Sequence, residues 1–459
     1  MNRTDLGLLA YNAILLAVGY AALRPLGFAA RGTRITRAGL AYLVGFGVLG
    51  VALTLAAIVG ISPTIPAIVI VAIVIIGATT RISLRPDATT WHATPLGFGR
   101  YGTLAAAIGG LVLTVASLAA IALAAKGQLY PGFWDAIDFW IPKAQAIYYG
   151  HGIPTDTWAG LKHPEYPPLL PTLDAGIFHF TGGFHPSLLP LQAVLLGIAF
   201  LLTLLGLLDG ITPRALSLPA LAALATTPWF WWRLQTPTGD QILAYFVTGA
   251  AVATIRWLIT GERSYFRLGF VLLITATLTK LEGGFVGLLL AAVICVAIYR
   301  QRRSDFRSAL LLLATPLAIV PWRLWLAHAG IPGSSPDYRI SYLAHPGFLV
   351  DHTHRFTESL RVMLHAPFAE YASTSLVVVA TAALVVSAVR RPVIAATVAA
   401  WCALAAGGLA AIYWIGTLPV SWYIENSVSR VGATVIVAAA ALTPLLLGLA
   451  LSDTITEDE

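Results

Sequence analysis

The sequence predicts an all-α polytopic membrane protein with about thirteen transmembrane helices. Of its 459 residues, 58% are hydrophobic and only 11% are charged, whereas a soluble domain carries about 25% charged residues. Apolar runs of roughly 20 residues recur along the chain, and each can cross about 30 Å of hydrocarbon as a helix. The alternating pattern of a membrane β-barrel is absent, so helices, which satisfy their own backbone hydrogen bonds, are expected.

A span is expected wherever an apolar run is long enough, with boundaries good to about four residues. Residues 1–100 are expected to form an N-terminal three-span addition, and residues 101–451 the main transmembrane module. The predicted spans are 6–23, 39–59, 64–80, 102–125, 186–209, 214–231, 241–260, 267–282, 284–300, 308–327, 373–389, 393–415 and 431–451.

Arginine placement predicts the orientation of these spans. The net charge of +7 comes mostly from arginines in short loops, and such loops face the cytoplasm. The pattern of thirteen spans puts every arginine-rich loop on one side, leaves the N-terminus outside and places the acidic tail, residues 452–459, inside. The loops contain Arg24, Arg31, Arg34 and Arg37; Arg81, Arg85 and Arg100; Arg256, Arg263 and Arg267; Arg300, Arg302, Arg303 and Arg307; and Arg390 and Arg391.

The same topology predicts large outside loops at 126–185 and 328–372 and a smaller one at 416–430. A crossing at 166–181 would invert every later loop, so this apolar stretch is expected to be a helix lying at the outer membrane interface. Residues 134–150 are expected to form a second interfacial helix, because they are rich in the aromatic side chains that favour the headgroup zone.

The first outside loop contains the densest group of ionisable and aromatic residues. On a helix, Asp135 and Asp138 would be three residues apart and share a face. Two carboxylates at a membrane surface need a cation, water or a substrate hydroxyl nearby. A solvated helix N-terminus with acidic residues in its first turn explains them equally well.

The loop continues with a proline-rich stretch, His163–Pro171. Its paired prolines can begin a helix. Glu165 stands just before that start, where a negative charge is favourable. Glu165 is therefore either a capping residue or part of a site.

Several charged residues are expected at the outer ends of spans, against the positive-inside trend. An anionic headgroup, above all a lipid phosphate, would explain cations held there. The simpler alternatives are that Asp240 only caps the helix it opens and that Lys280 only extends its ammonium to the interface. The set consists of Arg233, Asp240, Lys280, Arg323 and Arg430.

Two further patterns are interpreted as incidental. Gly45–Gly50 matches GxGxxG but lies inside a predicted span with no preceding strand, so small-residue helix packing is expected. Asp351-His352-Thr353-His354 could bind a metal, but two histidines two residues apart on a polar loop are more often solvated. No metal site is predicted.

The order of these features resembles the GT-C superfamily of polytopic glycosyltransferases, which includes protein O-mannosyltransferases and lipid A aminoarabinose transferases. The family's essential aspartate in the first large outside loop is matched by Asp135. Its Glu-Lys-Pro-Pro-Leu stretch is matched by Glu165–Leu169, with Tyr166 in place of the lysine. Ala136 stands where the family has a second acid nearby, which leaves dependence on a divalent metal open. The later matching segments are Asp240–Phe246, Leu278–Lys280 and Ser427–Arg430.

The resemblance covers residues 100–450 and implies sugar transfer, with inversion, from a polyprenyl-phosphate donor to an envelope glycan, lipid or protein. The reaction is expected at the outer membrane face, and the Gly- and Ala-rich composition with short loops suits a bacterial inner membrane. Asp135 is the expected base, with Asp138 or Glu165 in reserve. The residues expected to meet the donor phosphate and sugar are Lys143, Tyr166, Arg233, Asp240, Lys280, Arg323 and Arg430.

A transporter or lipid flippase is the alternative class. Such proteins place charged residues and broken spans at the bilayer midplane, whereas the ionisable residues here are expected at one rim. A noncatalytic assembly subunit is the third possibility.

Overall fold

A computed structural model of the chain describes residues 2–82, 98–128, 134–150, 152–335, 337–338, 340–365, 371–428 and 432–451. These residues fold into helices joined by short loops. The helices are α1 (Arg3–Leu26), α2 (Arg34–Ile58), α3 (Ile65–Thr80), α4 (Gly99–Ala124), α5 (Ile141–Tyr149), α6 (Thr155–Ala159), α7 (Leu169–Thr181), α8 (Leu189–Leu208), α9 (Arg214–Thr226), α10 (Pro228–Leu234), α11 (Gly239–Thr260), α12 (Arg263–Thr279), α13 (Leu281–Gln301), α14 (Phe306–Leu312), α15 (Val320–His328), α16 (Pro346–Asp351), α17 (Thr353–His365), α18 (Tyr371–Arg390), α19 (Pro392–Trp414), α20 (Val420–Tyr423) and α21 (Ala433–Leu451). Two π-helical segments occur at Ala136–Trp140 and Ile424–Val428, and 3-10 turns at Pro186–Leu188, Arg303–Asp305, Thr315–Ile319 and Ile340–Ala344.

Each predicted span falls on a helix or on successive helical segments. Within the described ranges, nine helices are long and apolar enough to cross a membrane. The chain is therefore an all-helical, multi-pass integral membrane protein, and the finer count of thirteen crossings stays a prediction. The nine are Arg3–Leu26, Arg34–Ile58, Gly99–Ala124, Pro186–Leu208, Gly239–Thr260, Leu281–Gln301, Arg303–His328, Pro392–Trp414 and Thr434–Leu451.

Helix α11 is the central element of the bundle. Nearly every one of its residues is buried, and it packs against α8, α12, α13, α19 and α21. Its small residues allow this close packing on all sides. Since α11 starts at Gly239, Asp240 lies in its first turn and is fixed at one end of the bundle core.

The first three helices pack against the rest of the bundle through α7 and α8. A Cβ atom on Gly45 would lie 1.9 Å from the carbonyl oxygen of Leu15, and one on Gly19 would lie 1.6 Å from that of Ala41. This geometry confirms that the GxGxxG pattern of α2 serves close helix packing. The division between an N-terminal addition and the main module stays a prediction.

The stretch 166–181 is helical, but its placement differs from the expected interfacial position. All residues of α7 from Leu169 to Phe178 are buried, and α7 packs against α1, α2 and α5. Its apolar residues occur on every side, so protein rather than lipid surrounds it. Burial raises the pKa of Asp174 well above its usual range.

The loops of the first, third and fourth arginine groups meet at one end of the bundle. Arg31 forms an ion pair with Glu262, and the guanidinium of Arg302 lies where a Cβ on Gly261 would be, 1.6 Å from Nη1. Three separate basic loops therefore share one end, as the positive-inside pattern requires.

The close contact at Gly45 predicts a loss of stability on substitution. In Gly45→Ala the new methyl group meets a backbone carbonyl that cannot rotate away, so α1 and α2 must separate, at a cost of about 1–3 kcal/mol. Thermal unfolding of the detergent-purified protein measures this cost. Gly77→Ala on α3 is the matched control, because its Cβ meets nothing within 4 Å. Equal melting temperatures for the two variants would contradict the packing account.

Candidate functional site

A buried ion-pair group lies where α12 ends and α13 begins. Lys280 is extended between the two helices, with φ −157° and ψ 154°. Its Nζ lies 2.7 Å from Asp240 Oδ1 and 3.1 Å from Glu282 Oε1. Because the carboxylates lie in the first turns of α11 and α13, they also face the positive ends of two helix dipoles. Lys280, Asp240 and Glu282 together form the Lys280 group.

Glu282 is not among the site residues that the sequence predicts. Its side chain is 12% exposed, and its Oε2 is buried without a hydrogen-bond partner among the described residues. The sequence feature that could have indicated Glu282 as a site residue is its position two residues after Lys280, in the first turn of a helix. That position is shared by ordinary capping residues, so the sequence alone did not single it out.

Tyr166 covers the Lys280 group with its aromatic ring. The ring centroid is 5.3 Å from Lys280 Nζ, and the ring stacks on Trp140 at 6.0 Å. Trp140 in turn lies against Gly239, where a Cβ would be 2.4 Å from the indole. Burial and the charge of Glu282 raise the pKa of Tyr166 well above its usual range, although Lys280 opposes the shift. The phenol therefore stays neutral.

Lys143 lies behind Tyr166 as a second buried cation. Its side chain has no exposed surface, and burial lowers its pKa to about 7, opposed by the charge of Glu165. Four aromatic rings surround its Nζ at cation–π distance. They belong to Phe139 at 5.1 Å, Tyr166 at 5.4 Å, Trp140 at 5.5 Å and Trp158 at 5.6 Å.

The segment from His163 to Glu165 is held rigidly by its backbone carbonyls. His163 is the one non-glycine residue with positive φ, 49°, in the described part of the chain. Each of the three carbonyls accepts a hydrogen bond from a buried side chain. The donors are Lys143 Nζ to His163, Trp158 Nε1 to Pro164 at 2.8 Å, and Trp322 Nε1 to Glu165 at 2.9 Å.

The side chains of this segment form an acid–imidazole–acid arrangement. His163 Nδ1 lies 3.3 Å from Glu165 Oε1, and its Nε2 lies 3.9 Å from Asp337 Oδ2. Burial of Glu165 would raise its pKa, but its hydrogen bond with His163, a backbone hydrogen bond and the charges of His163 and Lys143 together lower it. Glu165 is therefore a buried, ionised carboxylate rather than only a helix cap.

A cavity of about 350 Å³ opens beside the Lys280 group. Arg323 lines its polar part and forms no ion pair with any residue in the described ranges. The remaining polar residues are Tyr166, Glu282, Ser334, Ser335 and Tyr338. The apolar part lies between α13 and α19 and consists of Leu281, Phe285, Leu343, Gly408, Ala411, Ile412 and Ile415.

The predicted second and third outside loops meet at this cavity. The carbonyl of Asp337 accepts hydrogen bonds from the Thr417 backbone N–H at 2.9 Å and from the Tyr423 hydroxyl at 2.7 Å. Tyr338 stacks on Tyr423 with centroids 5.7 Å apart. The cavity wall at Tyr338 is thus anchored to the loop that follows α19.

The structure brings six of the residues expected from the sequence into this region. Lys280 and Asp240 pair directly, Arg323 and Tyr166 line the cavity, and Glu165 and Lys143 support it from behind. The aromatic rings and the His163 carbonyl enclose Lys143, and its expected role in binding the donor phosphate stays a prediction.

The remaining expected residues are Asp138, Asp135, Arg233 and Arg430. Asp138 forms a solvent-accessible ion pair with Lys162 at 2.7 Å. Asp135 is half-buried just before the π-helical segment, whose wider turns remove the common α-helical face expected for the two aspartates. Arg233 lies half-buried on α10. Arg430 lies outside the described residues.

The Asp351–His354 stretch joins α16 to α17. Across the residues that the structure describes, no three histidine, cysteine, aspartate or glutamate side chains are grouped to hold a metal ion. His354 is exposed, and the His352 ring stacks on Phe348 at 4.0 Å.

Comparisons of the chain with protein-family models, with curated proteins and with solved structures gave no match. Fold and site together define a multi-pass helical membrane protein with a buried, ion-paired site beside an amphipathic cavity.

The lowered pKa of Lys143 predicts a pH-dependent stability. Between pH 7 and the unfolded value of about 10.4, the unfolded chain holds a proton that the folded chain has released. The contribution of Lys143 to stability therefore rises with pH across this window, by up to about 1.4 kcal/mol per pH unit. The melting temperature of wild type relative to that of Lys143→Met should therefore rise as the pH is increased from 7 to 10. A constant difference would show that Lys143 keeps its ordinary pKa.

Proposed function

We propose that the chain is a GT-C-like glycosyltransferase that moves a sugar from a polyprenyl-phosphate donor to an acceptor, with inversion at the anomeric carbon. The amphipathic cavity carries this proposal. One part presents the Arg323 guanidinium, the Glu282 carboxylate and hydroxyl groups, and the other is an apolar surface between two helices. A lipid phosphate has the same division between an anionic head and an apolar chain.

Arg323 is the proposed ligand of the donor phosphate. Its planar guanidinium can hold two phosphate oxygens at once. It forms no ion pair within the described residues, although the charge of Glu165 acts on it and Glu282 lines the same cavity. Lys280, by contrast, is already neutralised by Asp240 and Glu282. The proposed role of the Lys280 group is therefore to orient the sugar hydroxyls and to stabilise the leaving phosphate at the edge of the site.

The apolar part of the cavity supports a place for the polyprenyl chain. Phe285 is 39% exposed on the outer side of α13 and packs against Gly408 of α19. A chain leaving the cavity along this helix pair would enter the bilayer beside residues that are already exposed and apolar. Burial of each methylene contributes about 0.8 kcal/mol.

The proposed location is the extracytoplasmic face of a bacterial inner membrane. The Lys280 group lies at the start of α11, while the arginine loops meet where α11 ends at Thr260. If the arginine loops face the cytoplasm, the cavity opens on the opposite side. The thirteen-span topology belongs to the same proposal, and Arg430 would join the donor site from the third outside loop.

Turnover by the purified protein tests this function. Wild type in detergent, given polyprenyl-phosphate sugars and an envelope extract, should release free polyprenyl phosphate. Arg323→Met should raise the KM for the donor about 10- to 100-fold, because a hydrogen bond to a charged group contributes about 1.5–3 kcal/mol.

Arg361→Met is the control, since Arg361 is exposed on α17. Equal donor KM values for the two variants would contradict the assignment of Arg323. Movement of the lipid across vesicles without any turnover in detergent would support a transporter instead.

A further inference from the structure

The His163 imidazole lies in a position suited to proton transfer. Its Nδ1 contacts the Glu165 carboxylate, whereas 3.9 Å separates Nε2 from Asp337 Oδ2. This second distance is too long for a direct hydrogen bond, so Asp337 does not occupy the lone pair of Nε2. Both side chains are about a quarter exposed.

The buried carboxylate fixes the tautomer of His163. An ionised carboxylate accepts hydrogen bonds but cannot donate them. Nδ1 must therefore carry the hydrogen in the contact with Glu165, and in the neutral ring Nε2 keeps its lone pair. A base oriented by a buried acid is the usual arrangement for activating a hydroxyl group.

The backbone around His163 is more constrained than an ordinary surface loop. A left-handed conformation at a non-glycine residue costs about 1–3 kcal/mol and persists only where the surroundings enforce it. Here Lys143, Trp158 and Trp322 bind the three successive carbonyls. The imidazole is thus held in one place before any ligand arrives.

The imidazole is adjacent to the proposed donor cavity. Its ring stacks on Tyr166 with centroids 5.1 Å apart and an interplanar angle of 15°, and Tyr166 forms part of the cavity wall. Asp337, which lies nearest to Nε2 of the ring, directly precedes Tyr338, a residue of the cavity wall. An acceptor entering from outside would pass Nε2 on its way to the sugar.

We propose that His163 is the catalytic base of the transfer, with Glu165 as its positioning residue. The inference rests on the proposed glycosyltransferase function. His163 Nε2 takes the proton of the acceptor hydroxyl while that oxygen bonds to the anomeric carbon. The bond from the anomeric carbon to the phosphate oxygen breaks, and the lipid phosphate leaves with the electron pair. The proton then passes from Nε2 to outside water.

Two variants test this role while preserving the backbone. Asparagine tolerates positive φ better than most residues and keeps a donor for Glu165 in His163→Asn. Glycine tolerates it fully and leaves an imidazole-sized space in His163→Gly. Both should retain donor-lipid binding, measured by displacement of a labelled polyprenyl phosphate, and lose 10²- to 10⁴-fold in kcat. Added imidazole should restore part of the activity of His163→Gly only.

The controls are His354→Asn, at an exposed histidine of the second outside loop, and Asp135→Asn. His354→Asn should match wild type. Wild-type kcat in His163→Asn, or loss of donor binding in both His163 variants, would overturn the proposal. The proposal would also be overturned if Asp135→Asn lost transfer activity and added imidazole did not restore the activity of His163→Gly. Failure of wild type to bind or use any donor would instead overturn the glycosyltransferase assignment.

Discussion

The buried ammonium of Lys280 constrains the rest of the site. Removing an unpaired charge from water costs several kcal/mol, and the loss of one partner from a buried pair costs about 3–5 kcal/mol. Lys280 is buried at the junction of α12 and α13, and its partners Asp240 and Glu282 begin α11 and α13. The requirement for pairing therefore fixes three helices relative to one another and determines where the cavity can form.

Tyr166 connects this ion-pair group to the second buried lysine. Its ring lies 5.3 Å from Lys280 Nζ and 5.4 Å from Lys143 Nζ, so one aromatic ring contacts both ammonium groups. Lys143 in turn holds the carbonyl of His163. A rigid polar wall results, and it stands beside an apolar cavity in a bundle whose remaining surface suits lipid.

The helices and their order could be predicted from the sequence because apolar length and arginine placement are local signals. The span 241–260 corresponds to α11, and the grouping of Asp240 with Lys280 follows from their expected position at one rim. The environment of Lys143 could not be predicted in full, since Trp158 and Tyr166 approach it from other segments than its near neighbours Phe139 and Trp140. The burial of α7 also depends on partners that periodicity does not identify. Asp337, in a polar loop, carried no distinguishing pattern at all.

Photo-cross-linking of the donor lipid tests the central claim most directly. A polyprenyl phosphate with a photoreactive group near its head would be bound to the purified protein, and the modified residues identified by mass spectrometry. The account predicts labelling of the cavity wall on α13 and α19, at Phe285, Ile412 or Ile415, and loss of that labelling in Lys280→Met. Labelling confined to the separate apolar cleft lined by Pro219 of α9 and Pro444 of α21, or labelling that persists unchanged in Lys280→Met, would contradict it.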